Sequence, residues 1–238
     1  MDFSKENLSN LAEKNGIVLD DTALERFETY RSLLLEWNEK INLTAITDPG
    51  EIMVKHFLDC ILPLSYMDLP EGASFIDVGT GGGFPGIPLL IARPDLKATL
   101  IDGTKKRLVV VNEFLNELGL NADVKHVRAE DAGNDKNYRE QYDLATARAV
   151  TNLRDLSELC LPFVKPGGTF LAMKGPSAEE ELKEAKSAVS ILGGTPEKTV
   201  NYNLENMGER ALVFIEKTGR TPKQYPRPMA KIKKKPLR

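Results

Sequence analysis

The chain has few of the residues that build metal centres, disulfides and membrane spans. Among its 238 residues are two cysteines and two histidines, and Cys60 and Cys160 lie far apart in the sequence. This spacing disfavours a zinc site, so we predict no bound metal and two buried, reduced thiols. The sequence also lacks a run of about 18 apolar residues, which argues against a membrane-spanning helix.

The N-terminus and the charge distribution indicate a cytoplasmic protein with a polyanionic partner. The first ten residues are polar and lack the apolar core of a secretory signal. The net charge is −3, yet residues 219–238 contain eight Lys or Arg and no acid. A basic arm on an acidic body favours binding to RNA, and the alternative is a disordered end that aids solubility.

Three parts are predicted along the chain. Residues 1–70 are an N-terminal helical extension, in which Asp20 caps a long helix and Asp48, followed by proline, opens another. Residues 71–218 alternate between strand-like and helix-like segments. Residues 219–238 contain four prolines and a lysine cluster, so we predict an irregular basic tail.

The alternating part predicts an α/β fold. Its apolar, strand-like runs are Phe75–Val78, Ala98–Ile101, Val124–Val127, Tyr142–Thr146, Thr169–Met173 and Ala211–Ile215. Helix-like segments at Lys105–Leu118, Thr151–Pro162 and Ala178–Leu192 separate most of them. This alternation predicts a mostly parallel, doubly wound sheet. Since Asn201–Arg210 is too short for a crossover helix, the last two strands should form an antiparallel hairpin. The arrangement resembles the Rossmann-like fold of class I S-adenosylmethionine (SAM) methyltransferases.

The most informative motif is a glycine-rich turn, FIDVGTGGGFPGIP at residues 75–88. Within it, Gly79, Gly81 and Gly83 allow positive φ angles and the close approach of a ligand. The next strand ends in Asp102, where a carboxylate can accept both hydroxyls of a ribose. The pattern predicts a nucleoside-containing cofactor, and the alternative is a tight turn whose glycines serve packing.

Two features favour SAM over a dinucleotide, although three of the glycines fit the G-x-G-x-x-G pattern. The strand ends at Gly79, so the turn starts earlier than in a dinucleotide fingerprint. Within the strand, Asp77 would repel a pyrophosphate but suits the cationic amino-acid end of SAM. After the third strand, Ala129 and Glu130 are placed to meet an adenine, unless Glu130 is only a loop or cap acid.

Two cations and one pair of polar residues are candidates for substrate chemistry. Arg148 follows the fourth strand and Lys174 ends the next, at the edge where such sheets place their crevice. We take both as catalytic candidates that contact a phosphate or guanine O6, and the alternative for each is a solvated surface cation. His56 and Asp59 lie three positions apart on one helix, and we interpret them as a structural hydrogen-bonded pair rather than a catalytic base.

Five short motifs together resemble the RsmG (GidB) family. They are WNEKINLT at residues 37–44, KHFLD at 55–59, DVGTGGGFPG at 77–86, ARA at 147–149 and LAMKG at 171–175. The resemblance covers nearly the whole chain. It implies a bacterial 16S rRNA methyltransferase that uses SAM and modifies guanine N7 in a decoding-region loop. Its partner would be 16S rRNA or the small ribosomal subunit.

The resemblance also assigns site residues. It implies SAM contacts at Gly79, Phe84, Ala129, Glu130 and Arg148. Guanine N7 has a lone pair and no proton, so direct in-line attack needs no general base. Three alternatives stay open: a small-molecule SAM methyltransferase, an NAD-dependent oxidoreductase, and a non-catalytic RNA-binding factor with the same fold.

Overall fold

The computed structural model describes residues 4–204 and 208–237, and within them seven strands form one sheet. The strands are β1 (Ser74–Val78), β2 (Lys97–Asp102), β3 (Ala122–His126), β4 (Tyr142–Arg148), β5 (Val164–Lys174), β6 (Gly194–Leu204) and β7 (Gly208–Lys217). Their order is β3-β2-β1-β4-β5-β7-β6. Strands β1 to β5 pair in parallel, and β7 is antiparallel to both β5 and β6. The predicted parallel sheet with a terminal hairpin is confirmed, with the later strand inserted beside β5.

Three crossover helices follow the predicted segments closely: α6 (Lys105–Glu117), α8 (Leu153–Cys160) and α9 (Ala178–Ile191). Two shorter ones, α5 (Gly86–Ala92) and α7 (Ala129–Ala132), follow the glycine-rich turn and β3. Because strand side chains alternate between faces, Leu171 belongs to the core that contains α5 and α6, whereas Phe170 and Ala172 belong to the core that contains α8 and α9. The sheet therefore separates two hydrophobic cores, as a doubly wound fold requires.

The N-terminal residues form helices with the predicted caps. These are α1 (Lys5–Lys14), α2 (Asp21–Asn38), α3 (Pro49–Ile52) and, after a π-helical turn at Met53–Leu58, α4 (Asp59–Ile61). The Asp20 carboxylate accepts from the Ala23 amide at 2.7 Å, and that of Asp48 accepts from Glu51 at 2.8 Å. Single π-helical turns often occur at functional sites.

The N-terminal helices share a hydrophobic core with one face of the sheet. Phe27 of α2 and Phe57 of the π-helical turn are fully buried, with their ring centres 5.0 Å apart. Burying each such ring contributes about 1.5–3 kcal/mol. Tyr30 of α2 stacks on Phe57, with ring centres 5.3 Å apart, and its hydroxyl donates to the Gly82 carbonyl at 2.7 Å. These contacts pack the π-helical turn and α2 against the glycine-rich turn after β1.

The prediction of an irregular C-terminal tail is wrong where the chain forms α10 (Met229–Lys234). Ile232 of α10 is buried, and the Arg227 guanidinium pairs with the buried Glu158 carboxylate of α8 at 2.7–2.8 Å. The prediction missed these buried contacts because it rested on the basic, proline-rich composition of the segment. Arg238, the last residue of the predicted tail, lies outside the described residues.

The sequence predicted no membrane-spanning helix, no bound metal and two buried, reduced thiols. No helix within residues 4–204 and 208–237 is long and apolar enough to cross a membrane. The same stretches hold no group of three His, Cys, Asp or Glu arranged around a metal ion. Cys60 and Cys160 are free and buried, as predicted, and burial raises the pKa of both thiols. Neither thiol is therefore an ionised nucleophile at neutral pH.

Candidate active site

A pocket of about 310 Å³ opens beyond the carboxyl ends of β1, β2 and β4. It brings together four of the predicted cofactor residues: Gly79 after β1, Asp102 at the end of β2, and Ala129 and Glu130 at the start of α7. Apolar side chains of Ile101, Val127, Val150, Leu159 and Met229 complete its walls. The crevice beyond the strand ends is where doubly wound sheets bind nucleosides.

Asp102 has two tasks at the rim of this pocket. Its Oδ2 atom accepts from the Gly81 amide at 3.0 Å, and its Oδ1 atom accepts from the Thr104 amide at 2.7 Å. Each carboxylate oxygen offers two lone pairs, so both can still accept from ribose hydroxyls. The carboxylate thus holds the glycine-rich turn against β2 while it faces the pocket.

The floor of the pocket requires glycine at position 79. Gly79 has a φ angle of +78°, in the left-handed region that side chains disfavour. A Cβ atom there would lie 2.9 Å from Cγ2 of Val150, which crosses the turn. Any larger residue would push Val150 away and close part of the pocket.

Asp77 lies beneath the glycine-rich turn and does not line the pocket. It is fully buried, and its Oδ2 atom accepts from the Gly86 amide at the start of α5, at 2.9 Å. Among the described residues its Oδ1 atom has no hydrogen-bond partner. Burial raises the pKa of Asp77 to about 7, although the neighbouring Thr80 hydroxyl and the Gly86 amide oppose the shift.

A second cluster surrounds Arg148 at the end of β4. Its Nη1 atom donates to the Lys55 carbonyl at 3.0 Å and to Oδ2 of Asp59 at 3.2 Å, and its Nη2 atom donates to Nδ1 of His56 at 3.1 Å. The guanidinium carbon lies 4.9 Å from the ring centre of Phe84. His56 and Asp59 were predicted to bond each other, but the structure joins them through Arg148.

The contacts of His56 fix its neutral form. Arginine only donates, so the Nδ1 atom facing Arg148 accepts, and the ring proton sits on Nε2. That Nε2 atom lies 2.7 Å from the Thr44 hydroxyl, and the ring stacks on Phe84 with centres 4.6 Å apart. Burial, and then the Arg148 cation, lower the pKa of His56 to about 3. His56 is therefore uncharged at neutral pH. It is a poor base because its ring lone pair at Nδ1 already accepts from Arg148 and its pKa is low.

Tyr202 of β6 completes the cluster, and no motif in the sequence pointed to it. Its hydroxyl donates to Oδ1 of Asp59 at 2.6 Å. Asp59 is 3% exposed, so its carboxylate is buried between this hydroxyl and the Arg148 guanidinium. Tyr202 lies 143 positions from Asp59 in the chain, and no local pattern reports a contact of that span.

Lys174 is held by neighbours rather than free at the crevice. Its ammonium lies 2.7 Å from Oε2 of Glu181 and donates to the Thr151 carbonyl at 2.9 Å. These bonds tie the loop after β4 to β5 and α9. A direct contact between Lys174 and substrate stays a prediction.

The pocket and the Arg148 cluster meet at the loop after β4. Ala149 and Val150 line the pocket and directly follow Arg148. Ala149 has a φ angle of +56°, which is rare for a residue with a side chain and costs of order 1 kcal/mol. This strained turn places the guanidinium beside the pocket but outside it. The predicted SAM contacts of Phe84 and Arg148 stay predictions, since neither residue lines the pocket.

The strand order, the glycine-rich turn and the acidic residue ending β2 define the class I SAM-dependent methyltransferase fold. A SAM-dependent O-methyltransferase from Thermotoga maritima shares this fold, with a TM-score of 0.54, 15% sequence identity, and coverage of 79% of this chain and 72% of that one.

Sequence comparison identifies the family. The profile of GidB, described as rRNA small subunit methyltransferase G, matches residues 23–213. The chain is 47% identical over 230 residues to ribosomal RNA small subunit methyltransferase G of Geobacillus kaustophilus, covering 95% of this chain and 96% of the relative. The relative of that name in Staphylococcus epidermidis is 48% identical over 237 residues, with 99% of each chain covered. The chain belongs to the GidB family of small-subunit rRNA methyltransferases.

The pocket fits SAM, the cofactor of this family and fold. Asp102 can hold the ribose, and Ala129 and Glu130 border the space where an adenine would lie. Asp77 does not line the pocket, so its predicted role beside the cationic amino-acid end of SAM stays a prediction. A buried carboxylate near the turn would in any case oppose a pyrophosphate.

Proposed function

We propose that the chain transfers a methyl group from SAM to N7 of a guanine in the decoding-region loop of 16S rRNA. The observation that carries this proposal is the joining of the cofactor pocket to the Arg148 cluster through the loop at Ala149 and Val150. A polar anchor for a nucleobase thus lies beside the methyl donor's site. The two proton acceptors of the cluster, His56 and Asp59, already accept hydrogen bonds from Arg148.

Guanine N7 is a nucleophile that needs no general base. SAM supplies an electrophilic methyl group for direct in-line transfer, and N7 attacks with an in-plane lone pair and has no proton to lose. The residues of the chain therefore need only orient the guanine and exclude water. Neutral His56 supports Arg148 and takes no part in proton transfer.

Arg148 is our candidate for the group that orients the guanine. The bonds described above use three of its five N–H donors, which leaves two for guanine O6 or a phosphate among the described residues. Its side chain is 15% exposed, so it reaches the solvent side. The Asp59 carboxylate offsets its charge, so the cluster does not oppose the positive charge that the guanine ring acquires. Lys174, held by Glu181, is the second candidate.

Basic residues around the pocket are candidates for contacts to the RNA backbone. Arg107 and Arg128 line its mouth, and Lys231, Lys233 and Lys234 are exposed on α10 beside it. Phosphate contacts of this kind position RNA without reading its sequence. We propose that 16S rRNA, free or in the small ribosomal subunit, lies along this side of the protein, which places the enzyme in the cytoplasm.

Methyl-labelled SAM tests the proposed function. The protein is incubated with small ribosomal subunits, with bare 16S rRNA or with a metabolite extract, and the labelled product is digested and identified. We expect label in a 7-methylguanine nucleoside from the ribosomal samples. Label confined to metabolites would indicate a small-molecule methyltransferase. SAM binding without transfer to any sample would indicate a non-catalytic RNA-binding factor.

The pH dependence separates stability from catalysis. At saturating SAM, single-turnover methyl transfer should be nearly flat between about pH 6 and 8, because His56 stays neutral there and Asp77, whose pKa of about 7 falls in this range, does not line the pocket. The depressed pKa of His56 means that its contribution to stability is complete above its unfolded pKa of about 6.5 and is lost as the pH falls toward 3. As the pH is lowered, the protein should therefore unfold before the rate of methyl transfer changes. A rate limb near pH 6.5 that His56→Ala abolishes would contradict this.

A further inference from the structure

The C-terminal residues reach the cofactor pocket. Met229, the first residue of α10, lines the same pocket as Asp102 and Ala129. It also packs with Val127 and Ala129 against the core on this face of the sheet. The predicted tail thus contributes an apolar side chain to the pocket wall where an adenosine would lie.

Arg139 clamps the segment that leads to Met229. This side chain, which precedes β4, donates to the carbonyls of Thr221 and Tyr225 at 2.7 Å each. Asn134 donates to the Pro226 carbonyl at 2.9 Å. A Cβ atom on Gly133 would lie 2.8 Å from the Pro226 ring, so the segment lies directly on the chain after α7.

A buried ion pair holds the segment from its other side. The Arg227 amide and Nε atom both donate to Oε1 of Glu158 at 2.8 Å, and its Nη2 atom donates to Oε2 at 2.7 Å. Glu158 is 1% exposed and precedes Leu159, which lines the pocket. The Nη1 atom of Arg227 donates to the Lys235 carbonyl at 2.9 Å, which closes the segment around α10.

We propose that residues 219–237 are a structural part of the cofactor site, and that Met229 packs on the adenosine part of the cofactor. The proposal rests on the assignment of SAM to this pocket. A thioether is flexible and polarisable, so it packs well on an aromatic ring. The Arg227–Glu158 pair positions Met229 from outside the pocket.

The same segment links the cofactor to the nucleic acid. The inner side of α10 carries Met229 and Ile232, and its outer side carries Lys231, Lys233 and Lys234. A cofactor that packs on Met229 stabilises the docked segment, and the docked segment presents these lysines beside the pocket.

Calorimetric titration with SAM tests the inference in the full-length protein. Met229→Ala should weaken SAM binding about 5- to 10-fold, because part of one apolar contact is lost. Arg227→Gln should weaken it at least as much, because the segment loses its anchor. Met67→Ala is the matched control, since Met67 packs on the core at the other face of the sheet, and it should leave SAM affinity unchanged.

Amide hydrogen exchange on the unaltered protein is a second test, which does not depend on whether Arg227→Gln folds. Saturating SAM should slow amide exchange in residues 226–235 and leave β6 and β7 unchanged. Wild-type SAM affinity in Met229→Ala, or unaltered exchange in residues 226–235, would overturn the inference. If Asp102→Ala also binds SAM normally, the pocket itself is misassigned. If Asp102→Ala binds weakly and Met229→Ala normally, only the role of the C-terminal segment is wrong.

Discussion

Replacing Arg148 with alanine is expected to slow single-turnover methyl transfer about 100-fold or more at saturating SAM, while SAM affinity changes little. The guanidinium does not line the pocket, so its loss should affect the orientation of the guanine rather than the cofactor. Misplacement of a reacting group by about 1 Å costs rates of that order. Rapid-quench measurement of label transfer to small ribosomal subunits, with a parallel SAM titration, gives both quantities.

The same change should also lower stability, which dictates the controls. Without Arg148 the buried Asp59 carboxylate keeps only its Tyr202 hydrogen bond, and breaking a buried pair costs about 3–5 kcal/mol. Rates are therefore compared below the melting temperature of each variant. Asp59→Asn keeps the guanidinium but loses its charge partner, and should lose rate while it retains SAM affinity. Tyr202→Phe removes one hydrogen bond and should have the smallest effect.

Arg148→Lys is a sharper control, since it retains the charge. Lysine has one ammonium in place of a planar fork and cannot hold Asp59, the Lys55 carbonyl and His56 together in the same geometry. We expect it to recover stability in part and the rate hardly at all. A folded Arg148→Ala protein whose rate stays within about threefold of wild type would remove Arg148 from the substrate site.

Replacing Asp102 with alanine should weaken SAM binding about 10- to 100-fold. Two charge-assisted hydrogen bonds to the ribose hydroxyls are lost, each worth about 1.5–3 kcal/mol before compensation by water. The loss has a second source, because Asp102 also holds the amides of Gly81 and Thr104 in the turn. Calorimetric titration with SAM measures the change, and thermal unfolding shows that the protein remains folded.

Asp102→Asn separates these two tasks. Its amide oxygen can still accept from one backbone N–H, whereas its NH2 group faces the other as a donor. The asparagine variant should therefore bind SAM more weakly than wild type and more tightly than the alanine variant. Unchanged SAM affinity in the alanine variant would exclude Asp102 from the cofactor site, whatever the asparagine variant does.

The sequence predicted those features that depend on neighbours along the chain. The caps at Asp20 and Asp48, the glycine-rich turn and the alternation of strands and helices all follow from short-range patterns. Asp102 could be placed because it ends a strand, and parallel strands bring their carboxyl ends to one edge of a sheet.

The parts that the sequence did not predict depend on distant contacts. Nothing near Tyr202 indicates that its hydroxyl reaches Asp59, because that pairing exists only after β6 joins the sheet. Lys174 was interpreted as free because its partner Glu181 lies one turn into the following helix. The C-terminal segment did carry a signal, since Met229 and Ile232 lie three apart among the lysines, at the spacing of an apolar helix face.

The Arg148 cluster also determines when during synthesis the enzyme becomes competent. Its members come from the N-terminal helices, from β4 and from β6, so the cluster is incomplete in any chain that lacks either end. A nascent chain must have extruded β6 from the exit tunnel before Asp59 gains its second partner, and α10 later still before the pocket has its Met229 wall. Activity that depends on both the Arg148 cluster and the Met229 wall is therefore expected only after β6 and α10 have left the tunnel.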